Sequence, residues 1–242
     1  QALVGLSGGI DSALVAALAV AALGKEAVTG TLMPSRYSSL GSVEDAEQLA
    51  RNLDIKTETL PIEHMHAAFE RTISDSCLEA VGLSEENAQA RIRGLLLMAL
   101  ANQNDALLLA TGNKSELAVG YSTLYGDMSG AVSVIGDIYK TDVWSLATWM
   151  NGNFEACGFA TSPIPKSSIA KPPSAELRPG QLDQDSLPQY DELDSVLRLH
   201  IDLDMGVDDI EEELSMPRDF INKIIRMVDV SQFKRDQAAV IF

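Results

Sequence analysis

Residues 2–12 read ALVGLSGGIDS, a short apolar run from Ala2 to Leu6 that breaks into Ser7, Gly8 and Gly9 and meets Asp11 at the head of an alanine-rich segment. The apolar run predicts a buried strand and Asp11–Leu23 a helix, so the Ser-Gly-Gly turn falls where a strand ends and a helix begins. The first amides of a helix lack internal partners and carry partial positive charge, which makes such a turn an anion site. Gly8 and Gly9 allow close approach, and the Ser7 and Ser12 hydroxyls add donors. Asp11 would repel a bare phosphate, which implies a divalent cation between the two. The glycines alone also fit an ordinary strand-to-helix turn capped by Asp11.

Downstream, Ala27–Met33 predicts a second strand stopped by Pro34, Val43–Asn52 a helix, Thr57–Leu60 a third strand, and about Ile62–Val81 a helix broken by Gly82. Strand and helix alternating at these spacings mean parallel pairing through crossovers, hence a three-layer α/β sheet with helices on both faces. Ligands of such sheets bind beyond the carboxyl ends of the strands, where the Ser7–Ser12 turn sits. Ser84–Asn104 is the longest amphipathic segment, with Ser84 at its start and Asn87 and Arg91 four apart on one face. Ala106–Thr111 is the next buried strand and ends in the polar turn Gly112–Glu116.

Residues 120–127, GYSTLYGD, followed by 136–140, GDIYK, have little periodicity; a long glycine-rich loop of this kind is more often a site than a plain connection. Thr141–Met150 is helical, with Trp144 and Trp149 expected in the core. Residues 151–189 are irregular and rich in Pro, Ser and Gly, and fit either a linker or a lid; Lys166, Lys171 and Arg178 provide the basic character a phosphate lid needs. Residues 190–242 return to helices, among them Asp191–His200 and Pro217–Val228. His64, His66 and His200 lack a carboxylate at useful spacing and are assigned no chemistry.

The 242 residues, 46% hydrophobic, suffice for one large domain with a sizeable core, and no apolar run approaches the roughly 20 residues of a membrane span. Cys77 and Cys157 fit a reducing cytoplasm and form no metal pattern; both are expected as small core residues. A net charge of −17 argues against nucleic-acid binding. The acidic excess after Asp183, in 191–192, 202, 204, 208–209 and 211–213, reads as solvated surface. A nucleotide pocket in this chain must be locally basic against that background.

SGGIDS at 7–12 resembles the pyrophosphate loop of the N-type ATP pyrophosphatases, and lacks both the Walker A and the GxGxxG spacings. With NAQAR at 87–91, TGNKSE at 111–116, the 120–127 loop, Lys140 and KPPSAEL at 171–177, the likeness narrows to the NAD synthetases and runs over nearly the whole chain. The resemblance implies an adenine nucleotide α-hydrolase-like (PP-loop) fold with a helical C-terminal part. It implies a ligase of NAD biosynthesis that forms a C–N bond. Deamido-NAD is adenylated by ATP with release of pyrophosphate, and ammonia then displaces AMP. Carried over residue by residue, Gly5, Ser7, Gly8, Gly9, Asp11, Ser12, Thr111, Lys140, Lys171 and Ser174 would contact ATP. Asp11 and Glu116 would hold magnesium and, with Lys140, form the catalytic group. Asn87, Arg91, Asp127 and Lys234 would face deamido-NAD across a homodimer interface. MPSRYSS at 33–39 looks like the glutamine-dependent branch, so residues 1–242 are expected to be the synthetase domain of a longer enzyme with an upstream glutamine amidase domain. Two other readings stay open: another ATP pyrophosphatase acting on a different substrate, and a non-catalytic adenine-nucleotide sensor of similar topology. The sensor would not need Asp11 and Glu116 together at the phosphate edge.

Overall fold

The computed structural model describes residues 1–76, 78–79 and 81–241; the expectation for Cys77 lies outside them. Strand β1 (Ala2–Gly5) leads through the Ser7–Gly9 turn into α1 (Ile10–Leu23), followed by β2 (Val28–Leu32), α2 (Leu40–Leu53), β3 (Lys56–Thr59), α3 (Glu63–Asp75), α4 (Leu83–Asn104) and β4 (Leu107–Ala110). Then come α5 (Lys114–Val119), β5 (Val132–Ser133), α6 (Lys140–Gly152), α7 (Lys166–Ala170), α8 (Tyr190–Leu197), α9 (Val207–Leu214), α10 (Arg218–Val230) and α11 (Gln232–Arg235).

The strands pair in the order β3-β2-β1-β4-β5, all parallel. β1 is central, with β2 on one side and β4 on the other, so the chain reverses its direction of sheet building between them. The loops after β1 and β4 therefore diverge and leave a crevice at their carboxyl ends, the switch point where ligands of such sheets bind. Val4 and Leu6 and the face of α1 from Ala13 to Ala17 are fully or almost fully buried. Alanines let α1 lie close to the sheet while Leu14, Val15 and Val20 fill the space toward α2 and α6. A second core of Leu193, Val196, Leu197, Ile210, Ile221 and Ile224 joins α8, α9 and α10 against α5. The last described residues cover the edge of the sheet, where the Ser133 amide donates to the Val240 carbonyl at 2.8 Å.

Several local expectations change. The segment expected helical over 62–81 ends at Asp75, and the N-cap of α4 is Gly82 rather than Ser84, whose hydroxyl instead bonds to Val81. α5 and β5 escape periodicity because they hold only six and two residues. Trp149, expected in the core, is 54% exposed on the outer face of α6, whereas Trp144 is half-buried and meets the Tyr190 ring edge-on at 5.7 Å. Cys157 packs half-buried against the main core. Contrary to the expectation for the histidines, the buried His66 has a carboxylate at useful spacing, Glu70 one turn along α3, and Glu85 of α4 closes on both. Among the described residues no helix is long and apolar enough to cross a membrane.

Candidate active site

The crevice between the β1 and β4 loops opens into a cavity of about 310 Å3. On its β1 side the turn is held by its own serines. The Ser7 amide donates to Ser12 Oγ at 3.2 Å, the Ser12 hydroxyl donates to the Gly9 carbonyl at 3.1 Å, and the two hydroxyls lie 3.0 Å apart. The amides of Ile10, Asp11 and Ser12 make no hydrogen bond among the described residues, so they remain available donors at the positive end of α1. Gly9 lines the cavity. Gly8 lies beneath it instead, in the left-handed region at φ +80, where a Cβ would stand 2.1 Å from the Ser42 carbonyl. Its absent side chain thus serves loop packing rather than ligand access.

On the β4 side, Asn113 caps α5 by accepting the Glu116 amide at 3.0 Å, and its side-chain amide donates to Asp11 Oδ1 at 2.8 Å. One residue thereby ties the two loops together. Lys140, at the start of α6, is almost fully buried with Nζ 2.5 Å from Asp11 Oδ2 and 3.1 Å from Glu116 Oε1. Ser115 and Thr141 are fixed to the buried Asp194, and the Lys140 amide donates to Ser115 Oγ at 2.8 Å, which holds α5, α6 and α8 in register. Burial opposes the charge of Lys140, but Asp11 and Glu116 more than offset it and hold the ammonium above the ordinary lysine range. Burial pushes Glu116 up to about 7 against the attraction of Lys140, with repulsion from Asp11 and Asp183 adding to it. Tyr190 donates to Asp183 Oδ2 at 2.9 Å and lies 3.4 Å from Glu116 Oε1, and Asp183 is raised by its own burial. The site therefore sets one buried cation among three carboxylates, below a row of bare amides.

The cavity brings together Gly5, Ser7, Gly9, Asp11, Ser12, Thr111, Glu116, Lys140, Lys171 and Ser174. Asp127 also reaches it, but Asn87, Arg91 and Lys234 do not line it. Those three ring the 120–127 loop and hold its shape. Asn87 Oδ1 accepts from the Thr123 hydroxyl at 2.8 Å, Arg91 Nε donates to the Leu124 carbonyl at 3.2 Å, and Lys234 Nζ donates to the Gly120 and Ser122 carbonyls at 2.6 Å each. Asp127 Oδ1 accepts the Thr123 amide at 2.8 Å.

The tract after α7 lies across this crevice. Lys171 pairs with Asp45 at 2.8 Å and reaches Ser42 Oγ at 2.9 Å, while Glu176 accepts from the Ser39 and Ser42 hydroxyls at 2.9 and 2.7 Å. Of the three basic residues expected to supply a phosphate lid, Arg178 is committed to Glu86 and Asp185, and Lys166 stands exposed outside the cavity. Only Lys171 faces the cavity. Pairing with nearby carboxylates takes Arg178, as an acidic chain makes such partners abundant.

Sequence reasoning did not single out Asn113, Asp183, Tyr190 or Arg93. Arg93 lines the cavity, donates from Nε to the Met33 carbonyl at 3.1 Å, and makes no ion pair among the described residues. Asn113 was legible as the cap residue inside TGNKSE. Asp183, Tyr190 and Arg93 carry no local signal, because folding alone brings them to the crevice.

The family model for NAD synthase matches residues 1–238. A protein of a Synechocystis species called glutamine-dependent NAD(+) synthetase is 51% identical over 240 residues, which are 99% of this chain and 42% of that protein. A solved structure of glutamine-dependent NAD+ synthetase from Acinetobacter baumannii, in complex with ADP, matches 99% of this chain and 42% of its own at 41% identity and a TM-score of 0.66. A structure of NMN synthetase from Francisella tularensis matches 99% of this chain and 88% of its own at 28% identity and a TM-score of 0.78. The chain spans less than half the length of the curated relatives it matches. With the parallel PP-loop sheet, the SGGIDS turn and a family match over almost every residue, the chain belongs to the NAD synthase family.

Proposed function

We propose that this chain catalyses the ATP-dependent amidation of deamido-NAD to NAD, with ammonia as its own nitrogen donor and with AMP and pyrophosphate as products. The observation that carries this reading is the meeting of the bare α1 amides with Asp11, Lys140 and Glu116 at one edge of the cavity, beside the 120–127 loop. A carboxylate is inert to amines until its oxygen becomes a good leaving group. One oxygen of the nicotinate carboxylate attacks the α phosphorus, and the bond to the bridging oxygen of pyrophosphate breaks. Ammonia then adds to the activated carbonyl carbon, loses a proton, and expels AMP.

Two anions must be brought into contact, so positioning and charge neutralisation are the main tasks. Ser7, Gly9, Ser12 and the free amides would cradle the phosphates, Thr111 and Ser174 would contact the nucleotide, and Lys171 would reach in from the overlying tract. Lys140, already held among carboxylates, would offset charge that builds on the phosphates. Asp11 and Glu116 meet at Lys140 Nζ and each keeps acceptor capacity beyond that contact, so their hard oxygens would suit magnesium beside the ammonium. When bound, that ion would neutralise phosphate charge between the two carboxylates. Asn87, Arg91, Asp127 and Lys234 would present the 120–127 loop to deamido-NAD. The apolar exposure of Leu83, Leu95 and Met98 along α4, beside the exposed Arg91, supports a homodimer with this helix at its interface. Glutamine, the donor named for the longer relatives, would enter through an amidase domain outside these residues.

The test is an incubation of the chain with ATP, magnesium, ammonium and deamido-NAD, with NAD read by enzymatic cycling. Because one structural relative is called NMN synthetase, the deamido mononucleotide is run as a second acceptor. NAD formed at one AMP per turnover supports the proposal. No NAD from a chain that binds ATP refutes it.

A further inference from the structure

We propose a second cation site, distinct from the nucleotide crevice, in which His66, Glu70 and Glu85 bind a divalent transition metal such as zinc. These three residues offer ligand atoms that all lie within 4.8 Å of one another. His66 is fully buried, and neither of its ring nitrogens has a hydrogen-bond partner. An imidazole buried without any partner leaves both nitrogens unsatisfied, and a metal on one of them removes part of that cost.

The local sequence explains the geometry. His66 and Glu70 are one turn apart on α3, so they share a face, and Glu85 comes from the first turn of α4, which packs against α3. Arg36 donates to both oxygens of Glu70 at 3.0 Å and also pairs with Glu63, while the Tyr37 hydroxyl donates to Glu85 Oε1 at 2.8 Å. These contacts orient the two ligand carboxylates from behind, as outer partners of metal ligands do. Arg36 is shared by Glu63 and Glu70, and Glu85 meets only the neutral Tyr37 hydroxyl, so the three glutamates carry two negative charges beyond the one guanidinium, which a dication cancels.

The donor set selects the metal. A nitrogen ligand with two carboxylates suits zinc, cobalt or copper and disfavours magnesium and calcium, which take oxygen. A zinc ion binds such ligands at about 2.0–2.2 Å, so the side chains must close by about an ångström on binding. Three protein ligands leave one tetrahedral position for water. The bound ion would fasten α3 to the start of α4 and, through Arg36 and Tyr37, to the loop whose Pro34 and Ser38 border the nucleotide cavity. The inference stands independently of the reaction proposed above.

The chain, saturated with magnesium and carrying His64→Gln to remove the neighbouring exposed imidazole, is titrated with Co2+ and followed by its visible absorption, and with Zn2+ by calorimetry. One equivalent of each is expected to bind, with a raised Tm for the zinc form. Glu70→Gln and Glu85→Gln, at half-exposed positions, should each weaken binding by about tenfold or more. Their metal-free circular dichroism should match the parent. The Cu2+ electron paramagnetic resonance spectrum of the parent chain reads the site without further substitution, and one directly bonded nitrogen is expected. Absence of binding, binding that survives both Gln variants, or a copper spectrum with no bonded nitrogen would overturn the proposal.

Discussion

Replacing Lys140 with Met tests whether the buried ammonium holds the crevice together. The Lys140 side chain is 2% exposed, while those of Asp11 and Glu116, at 2.5 and 3.1 Å, are 20% and 17% exposed. Methionine fills nearly the same volume, so little cavity cost enters, and the loss is that of carboxylates facing each other without a cation. Removing one partner of a buried ion pair costs about 3–5 kcal/mol. Residual water contact at Asp11 and Glu116 favours the lower end, about 3 kcal/mol. For a chain of this size that corresponds to a fall in Tm of about 6–12 °C. The sign of its pH dependence follows from Glu116. Without Lys140 the folded state holds the Glu116 proton to still higher pH, and a protonated Glu116 no longer repels Asp11. The loss should therefore be largest near pH 8 and smaller near pH 5.5. Scanning calorimetry at both values checks this. A variant with wild-type Tm at both, or one hurt most in acid, would show that Lys140 does not neutralise these carboxylates.

Glu116→Gln should flatten the pH dependence of stability. Burial pushes the folded Glu116 carboxyl up to about 7, above the ordinary glutamate range, so between the two the native state binds more protons and stability falls as pH rises. Urea unfolding from pH 5 to 8 should show that slope in the parent and not in the variant; equal slopes contradict the assignment. Gly8→Ala places a Cβ 2.1 Å from the Ser42 carbonyl at φ +80, and should cost about 2 kcal/mol or more while displacing the loop from ATP. An unchanged urea midpoint with unchanged ATP affinity would deny the close approach. Arg91→Ala frees the Leu124 carbonyl and should raise KM for deamido-NAD about tenfold while leaving ATP binding unchanged, and the reverse pattern in steady-state kinetics would contradict the placing of that residue.

Local chemistry made the sheet and its loop legible. An apolar run ending in SGGIDS can be read as strand, turn and helix because periodicity and glycine act within a few residues. TGNKSE at the end of β4 was visible for the same reason, as a polar turn that caps a helix. Fold class needed only the alternation of such elements, since parallel strands joined by helices leave few arrangements.

What tertiary structure decided depends on long separations. Asp11 and Lys140 are 129 residues apart and meet because α1 and α6 share a core, and Asn113 reaches Asp11 across 102 residues because β4 lies beside β1. Asp183 and Tyr190 join Glu116 only when the C-terminal helices dock on α5. The exposed Trp149 and the closing of Glu85 on His66 are likewise set by which face of a helix finds a neighbour. Sequence spacing fixes which residues share a face, but burial and charge pairing are properties of the partner face, and that partner is chosen only when the whole chain packs.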